Sequence, residues 1–338
     1  MKRLDLTRTQ ILAYRRKVQA LDERLPPGPE SLRLVAWAGL QDSMPRAALL
    51  SIHARVAGTQ ATTWEDPSLV QLWGPRYSTY VVAVQDFALF SLGRLPDDEK
   101  GRRVAEEVSA QLRGILGDAR MADREAAEAT GVNPNRFRYA APTGTVAIRW
   151  EGARAPTIWI VPAPDLDPAD ASLELARRYL HVFGPTTAES FAEWAGIATR
   201  RGLAVFTRLQ GSLIAVRTPS GDAWALDGDE SMLRAARGES AVARLLPSGD
   251  AYFLLQGADR RLLVPDPVRR SQLWTSRVWP GAVLVNGEIV GTWRRAYANL
   301  TIEPWHPLSN LEREAVEAEA ASLPLPGLRT MPRVRWAA

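Results

Sequence analysis

Gln41, Asp42 and Ser43 stand side by side in the segment Trp37-Ala-Gly-Leu-Gln-Asp-Ser-Met-Pro-Arg46. An amide, a carboxyl and a hydroxyl so close together can hold a water molecule by hydrogen bonds, and the carboxylate could take its proton. Gly39 follows one predicted helix and Pro45 suits the first turn of another. The three polar residues are therefore expected in a helix-to-helix connection, where binding and catalytic groups commonly sit on a rigid scaffold. Neighbouring side chains on a helix or strand point apart, so Gln41 and Asp42 do not easily share one face. The alternative for Asp42 or Ser43 is a cap on the following helix.

Other sources of chemistry are mostly excluded. There is no cysteine, which rules out disulfides, thiolate zinc sites, iron–sulfur clusters and a cysteine nucleophile. Phosphate-loop, dinucleotide-binding, metalloprotease and serine-hydrolase motifs are all missing from the sequence. The only histidines, His53, His181 and His306, are far apart, so they read as structural residues and neither a metal nor a cofactor is expected. The twelve tryptophans exceed the seven tyrosines and seven phenylalanines; some could stack on a base, and most suit the cores of small domains. Lys2, Lys17 and Lys100 are the only lysines among 42 basic residues, so the rest are arginine. Arginine suits phosphate and guanine edges, although a GC-rich genome produces the same bias. Residues 1–5 lack the apolar core of a signal peptide, and no run of ~18 apolar residues suggests a membrane span, so a cytoplasmic protein is expected.

The elements that must carry these residues follow a repeating order. Apolar spacing predicts helices over 7–25, 29–40, 46–56 and 68–73, then a strand over 79–84. Further helices are predicted over 100–116 and 120–130, and another beginning at 133–137, before a hairpin of 145–150 with 157–161. A Pro- and Asp-rich linker at 162–171 precedes helices at 172–183, 186–195 and 198–207, with Thr187 placed to cap the middle one. Runs at 213–216 and 223–226 complete a helix, helix, turn, helix and hairpin layout, which is that of a winged helix. Extended runs at 243–246, 250–255 and 262–264 follow. Asn286-Gly287 then sits between two apolar runs and marks a hairpin over 283–290. A strand at 300–303 and an acidic helix at 311–323 end the ordered part, with a loosely ordered tail after it. The expected fold class is α+β. Three tandem winged-helix units lie at 1–95, 96–165 and 170–230, a β-rich domain at 235–323 and a tail at 324–338.

Several of these segments carry a family resemblance. Gly39-Leu-Gln41-Asp-Ser43 with Ala54-Arg55 resembles the core motif of the AlkZ/YcaQ family of winged-helix DNA glycosylases. Arg178-Tyr-Leu, Phe183-Gly-Pro185, Phe191-Ala-Glu-Trp-Ala-Gly196 and Leu245-Leu-Pro with Asp250 add to it, as do Val285-Asn-Gly287 and Gly291-Thr-Trp-Arg294. As an ordered set these cover about residues 6–323. The family's motif is Gln, an apolar residue, then Gln or Asp. Here Gln41 matches the first position, Asp42 fills the second and Ser43 the third. Where the family often has Arg-Gly-Thr-Leu-His, this chain has Arg76-Tyr-Ser-Thr-Tyr80, with Tyr80 in place of histidine.

The resemblance implies a cupped DNA-binding protein that excises alkylated bases, including those in interstrand crosslinks, without metal or cofactor. An alkylated purine is already cationic and leaves without a strong acid, so a paired amide can suffice to orient the water. On this reading Gln41 orients the water and Ser43 adds a second hydrogen bond; Asp42 could be the base if the loop turns its carboxylate inward. DNA phosphates are expected to meet Arg46, Arg55, Arg76, Arg154, Arg200, Arg201, Arg217, Arg294 and Arg295, with Tyr80 near the same face. The expected partner is double-stranded DNA, alkylated or crosslinked, bound by a monomer that associates with the nucleoid. Two further readings stay open: a non-catalytic DNA binder, acting as a regulator or a protector of damaged DNA, and a member whose wings have turned to protein partners.

Overall fold

The computed structural model describes residues 3–152, 154–238, 240–328 and 331–337. Arg3–Asp5 (β1) precedes Arg8–Val18 (α1). A capping box fixes the start of α1: the Thr7 hydroxyl accepts from the Gln10 N–H, and the Gln10 side chain accepts from the Thr7 N–H. The helix is shorter than expected because the chain turns at Ala20, whose φ is 52°.

Next come Pro29–Val35 (α2), Leu40–Gln41 (β2), Ala47–Arg55 (α3), Leu69–Trp73 (β3), Thr79–Ala83 (β4) and Phe87–Leu92 (α4). β4 lies between β2 and β3 and is antiparallel to both. Two expectations are corrected here. Gln41 lies on a strand, and residues 69–73 form a strand where a helix was predicted. The six residues between Pro67 and Gly74 are too few for periodicity to discriminate. Backbone pairing with β4, with Leu69, Leu72 and Trp73 buried, decides the matter.

A second set contains Glu99–Leu116 (α5), Met121–Ala122 (β5), Asp123–Thr130 (α6), a 3-10 stretch over Pro134–Thr143, Val146–Arg149 (β6) and Thr157–Ile160 (β7). Its sheet runs β5-β7-β6. The helix predicted from 120 begins at Asp123, because Met121 and Ala122 pair with β7.

The third set is Pro168–Phe183 (α7), Ala188–Ala195 (α8), Thr199–Leu209 (α9), Leu213–Thr218 (β8) and Gly221–Leu226 (β9). Thr187 caps α8 by accepting the Ser190 N–H at 3.2 Å, and Gly196, with φ 72°, makes the turn into α9. β1 pairs in parallel with β8, so the start of the chain belongs to this sheet.

The last part holds Glu230–Ala235 (α10), Ala243–Leu246 (β10), Gly257–Leu263 (α11), Pro267–Leu273 (α12), Gly281–Val285 (β11), Glu288–Ala296 (β12), Asn299–Pro304 (β13), Asn310–Ala321 (α13) and Arg333–Trp336 (β14). Strands β10 to β14 form one sheet in sequence order. Residues 250–255 are buried turns, and 262–264 closes α11, so neither is the extended run expected. The tail is also more ordered than expected. β14 pairs in parallel with β13, and the Trp336 indole donates to Glu317 at 2.8 Å.

One apolar core joins the first, third and last parts. Leu12, Tyr80 and Phe90 pack in the same cluster as Tyr179, Phe183, Trp194, Tyr252 and Leu284. The second set has its own core around Leu112, Phe137 and Ile158, into which β3 sends Trp73. Buried arginines tie the parts together. Arg15 of α1 donates to the Gly184 and Pro185 carbonyls and pairs with Asp259 at 2.8 Å. Arg178 of α7 pairs with Asp86 at 2.7 Å. Among the described residues no helix is long and apolar enough to cross a membrane.

Candidate active site

Gln41 faces Tyr80 directly across the β2–β4 pair, and directly opposed residues share a face. Gly39, two positions back, lies on that face too. The Tyr80 ring runs over it and against Gly74. A Cβ at Gly39 would come within 2.8 Å of the Phe90 ring and 3.0 Å of the Tyr80 ring, and one at Gly74 within 2.8 Å of Tyr80. Only glycine fits at these two positions while Tyr80 occupies the space. The Gln41 side chain is half-buried, and its Nε2 donates to the Ser43 Oγ at 2.9 Å. Its Oε1 is enclosed and accepts no hydrogen bond from the described residues.

The enclosure comes from a distant part of the chain. Gly249, with φ +76°, lies so close that an added Cβ would stand 3.2 Å from Gln41 Cδ and 3.3 Å from Oε1. Asp250 holds this loop in place. One carboxylate oxygen accepts from Ser51 Oγ at 2.6 Å and Arg55 Nη1 at 2.7 Å; the other accepts from Arg55 Nη2 at 2.7 Å and the Tyr252 N–H at 2.9 Å. Arg55 also donates to the Gln19 side chain at 2.9 Å. Arg55 is thus an interior residue, 1% exposed, and cannot meet a phosphate as the sequence reading expected. Its forked guanidinium is matched by a buried carboxylate instead.

Asp42 projects from the other face of β2. Its Oδ1 accepts the Ala48 N–H at 3.0 Å, at the start of α3. Its Oδ2 accepts from Gln71 Nε2 at 2.9 Å, with Arg46 Nη1 3.8 Å away. The residue is 1% exposed. Burial pushes its carboxyl up to about 6, against the pull of the Ala48 hydrogen bond and the Arg46 charge. It caps α3 and offers no open oxygen to a water beside Gln41, so the geometry does not support its role as a base. Gln71 accepts the Trp150 N–H at 2.7 Å, which braces this corner against the end of β6. Ser43 is exposed beside Gln41.

The arginines named from sequence divide into two groups. Arg46 is half-buried, stacked 3.5 Å from the Trp64 ring centre and donating to the Trp150 carbonyl. Arg76 is half-buried in left-handed geometry (φ 53°), packed against Gly196 so tightly that a Cβ there would lie 2.9 Å from its backbone nitrogen. Arg201 is spent on the carbonyls of Leu95 and Gly93, with the latter at 3.0 Å. Arg154, Arg200, Arg217, Arg294 and Arg295 are exposed. Arg200 lies 3.5 Å from Asp97, Arg217 lies 4.0 Å from Asp222, and Arg294 donates to the Val278 carbonyl at 3.2 Å. Tyr80 is wholly buried, and burial raises its hydroxyl to about 12, so it is not on a DNA face. Gly249 and Gln71 were missed in the sequence, since their contacts to the motif come from remote strands and loops.

The histidines lie apart. Burial and the nearby Arg24 and Arg244 push His53 down to about 4; His181 bonds Asp229 at 2.9 Å; His306 is at the surface. No group of three acidic or histidine side chains among the described residues is placed to hold a metal ion.

Residues 34–324 match a family model described as DNA glycosylase AlkZ-like. An interstrand DNA cross-link repair glycosylase of Streptomyces sahachiroi is 29% identical over 160 residues, which is 46% of this chain and 42% of that relative's length. The solved structure of the Streptomyces sahachiroi DNA glycosylase AlkZ superposes with a TM-score of 0.79, covering 99% of this chain and 100% of that one at 20% identity. The likeness is one of fold, mixed α+β throughout.

Proposed function

The chain belongs to the AlkZ-like DNA glycosylase family, and from that premise we propose that it hydrolyses the N-glycosidic bond of an alkylated purine in duplex DNA, with Gln41 holding the attacking water. The observation that carries this reading is the state of the Gln41 amide. Its Nε2 is committed to Ser43, which fixes the amide's orientation, while its Oε1 stands enclosed with its acceptor capacity unused. As placed, the oxygen is closed off by the Gly249 loop, so that loop must yield for a water to donate to it and keep a lone pair for the anomeric carbon. An amide is no base, and Asp42 is turned away on the opposite face. The chemistry therefore suits a base that is already a good leaving group, as an N7-alkylated purine is through its positive charge. Interstrand cross-links, which the Streptomyces relative's name mentions, belong to the same class of substrate.

The three helical sets, each closed by a small sheet, are read as three winged-helix units at about 1–95, 96–165 and 170–230, with a β-rich domain after them. Exposed Arg154, Arg200, Arg217 and Arg294 are assigned to phosphates. A non-catalytic DNA binder is the second reading, favoured by the withdrawal of Asp42 from the face that Gln41 shares.

The test is release of 7-methylguanine from duplex DNA by wild type and by Gln41→Ala, with DNA affinity measured beside it. The expected outcome is a fall of about 10²-fold or more in release at unchanged affinity, in line with loss of a group that orients the reacting water. Equal release by both proteins would remove Gln41 from the mechanism. Binding without release by wild type would favour the second reading.

A further inference from the structure

A cleft of about 590 Å³ lies where the second set of elements meets the third. Arg102 comes to it from α5, Arg200, Arg201 and Arg208 from α9, and Ser172 from α7. Guanidiniums gathered round one cavity repel one another unless something negative answers them. Two of the four meet a carboxylate: Arg200 lies 3.5 Å from Asp97, and Arg208 lies 3.9 Å from Asp170. Arg102 and Arg201 form no ion pair among the described residues. Arg201 donates to the Leu95 and Gly93 carbonyls, which carry no net charge. Burial lowers the pKa of its guanidinium; Asp97 opposes that shift, and the neighbouring Arg102 charge adds to it.

Ser172 supplies an independent observation. It lines the same cleft, is 3% exposed, and its hydroxyl has no hydrogen-bond partner among the described residues. Helical hydroxyls elsewhere in the chain turn back on their own helix: Ser91 donates to the Phe87 carbonyl and Thr207 to the Leu203 carbonyl, both at 2.9 Å. Ser172 does not. A buried hydroxyl without a partner costs free energy, and an acceptor in the cleft would remove that cost.

We propose that this cleft is a ligand site for a small phosphomonoester, a free nucleotide or inorganic phosphate, whose terminal phosphate sits among Arg102, Arg201 and Ser172. Charge selects the class. Two guanidiniums are uncompensated, and a phosphomonoester carries about −2 near neutral pH, whereas each phosphodiester of a DNA backbone carries a single charge. Guanidinium forks and a hydroxyl donor suit phosphate oxygens. The volume falls in the range of about 300–1,000 Å³ that holds small organic ligands, and Leu95 and Val205 give it apolar wall. Since α5 packs in the core around Leu112 and α9 in the core shared by the first, third and last parts, an occupant would tie two bodies of the fold together. The inference stands whether or not the protein releases bases.

The experiment titrates the full chain calorimetrically, as wild type, Arg102→Ala and Ser172→Ala, with inorganic phosphate, adenosine 5′-monophosphate and dimethyl phosphate. The last is a singly charged diester. Melting temperatures without ligand are measured beside it. Wild type is expected to bind the two phosphomonoester-type anions about tenfold or more tighter than the diester, with each substitution weakening them about fivefold. Ser172→Ala should keep the wild-type melting temperature, because its hydroxyl has no partner to lose. Adenosine 5′-monophosphate binding tighter than phosphate identifies a nucleotide as the source; equal affinities identify the phosphate group alone. Equal binding of the diester makes the arginines a general polyanion surface and overturns the proposal. Affinities that neither substitution changes overturn it as well. If wild type binds none of the three anions while Arg102→Ala loses affinity for undamaged duplex, Arg102 belongs to the DNA track and the ligand site is refuted.

Discussion

The carboxyl at position 42 is one residue from Gln41 and faces a different interior. Burial raises it to about 6, from the ordinary 3.8. The folded state therefore holds the proton more tightly than the unfolded chain does. The stability linked to this proton is present in full below about pH 4 and is lost as the pH rises through about 6. A displacement of that size is worth about 3 kcal/mol. Urea unfolding of wild type and Asp42→Asn should show it: relative to the variant, wild type loses about 2 kcal/mol between pH 4 and 7. A difference that stays flat would mean that the carboxyl is not desolvated. Gly249 offers a second prediction. Its φ of +76° disfavours any Cβ, and the added atom would push on the Gln41 amide. Gly249→Ala should cost about 1–2 kcal/mol in stability, and it should slow 7-methylguanine release at least tenfold by moving the amide. A stability loss with release intact would separate the loop from the water site. Gln41 was legible because the motif around it is local. Gly249 was not, since nothing in the residues near 249 announces a partner near 41.

Among the elements, α3 shows what the arginine excess was hiding. Arg55 read as a phosphate contact because it follows the motif, yet it is one half of a buried ion pair with Asp250 that clamps α3 to the loop before Tyr252. The signal existed on both sides, as Ala54-Arg55 and as Asp250, but sequence alone does not say that two matched residues meet each other. Removing one partner leaves a buried charge uncompensated, so Asp250→Ala should lower unfolding free energy by about 3–5 kcal/mol. Arg55→Met with Asp250→Leu, which removes both charges, should recover part of that loss. A double variant no better than the single one would show that packing around the loop, more than charge, sets the cost. Elements were legible where a long run kept one period, as in α5, α7 and the hairpin at Asn286-Gly287. They were not where a short apolar stretch depends on a partner, as in β2 and β3. The tail was a different failure: Val334 and Trp336 alternate with exposed Arg333 and Arg335, a strand pattern overshadowed by nearby prolines.

For the whole molecule, the arrangement of charge matters more than its total. The chain carries a net charge of only +4, and several of its arginines, Arg15, Arg16, Arg55, Arg94 and Arg244 among them, are buried. The arginines available to a polyanion are the exposed ones, and they come from separate parts of the fold: Arg154 between β6 and β7, Arg200 on α9, Arg217 on β8 and Arg294 on β12. A continuous core joins the first, third and last parts, so Arg200, Arg217 and Arg294 are held at fixed spacing and their contacts with one duplex would form together, while Arg154 belongs to the second set with its own core. If they do track phosphates, affinity for undamaged duplex must fall steeply with salt, and each phosphate contact removed should flatten the slope of log K against log[salt] by about 0.9. Replacing Arg154, Arg200 and Arg217 together with alanine should therefore lower the slope by up to about 2.7. The comparison that gives this meaning is the Arg55→Met/Asp250→Leu protein, which loses a charge of each sign from the interior and should keep the wild-type slope. A slope unchanged by the three surface substitutions would move the DNA to another face. A slope that changes in the interior double variant would mean that affinity tracks the shape of the folded scaffold more than the charge on its surface.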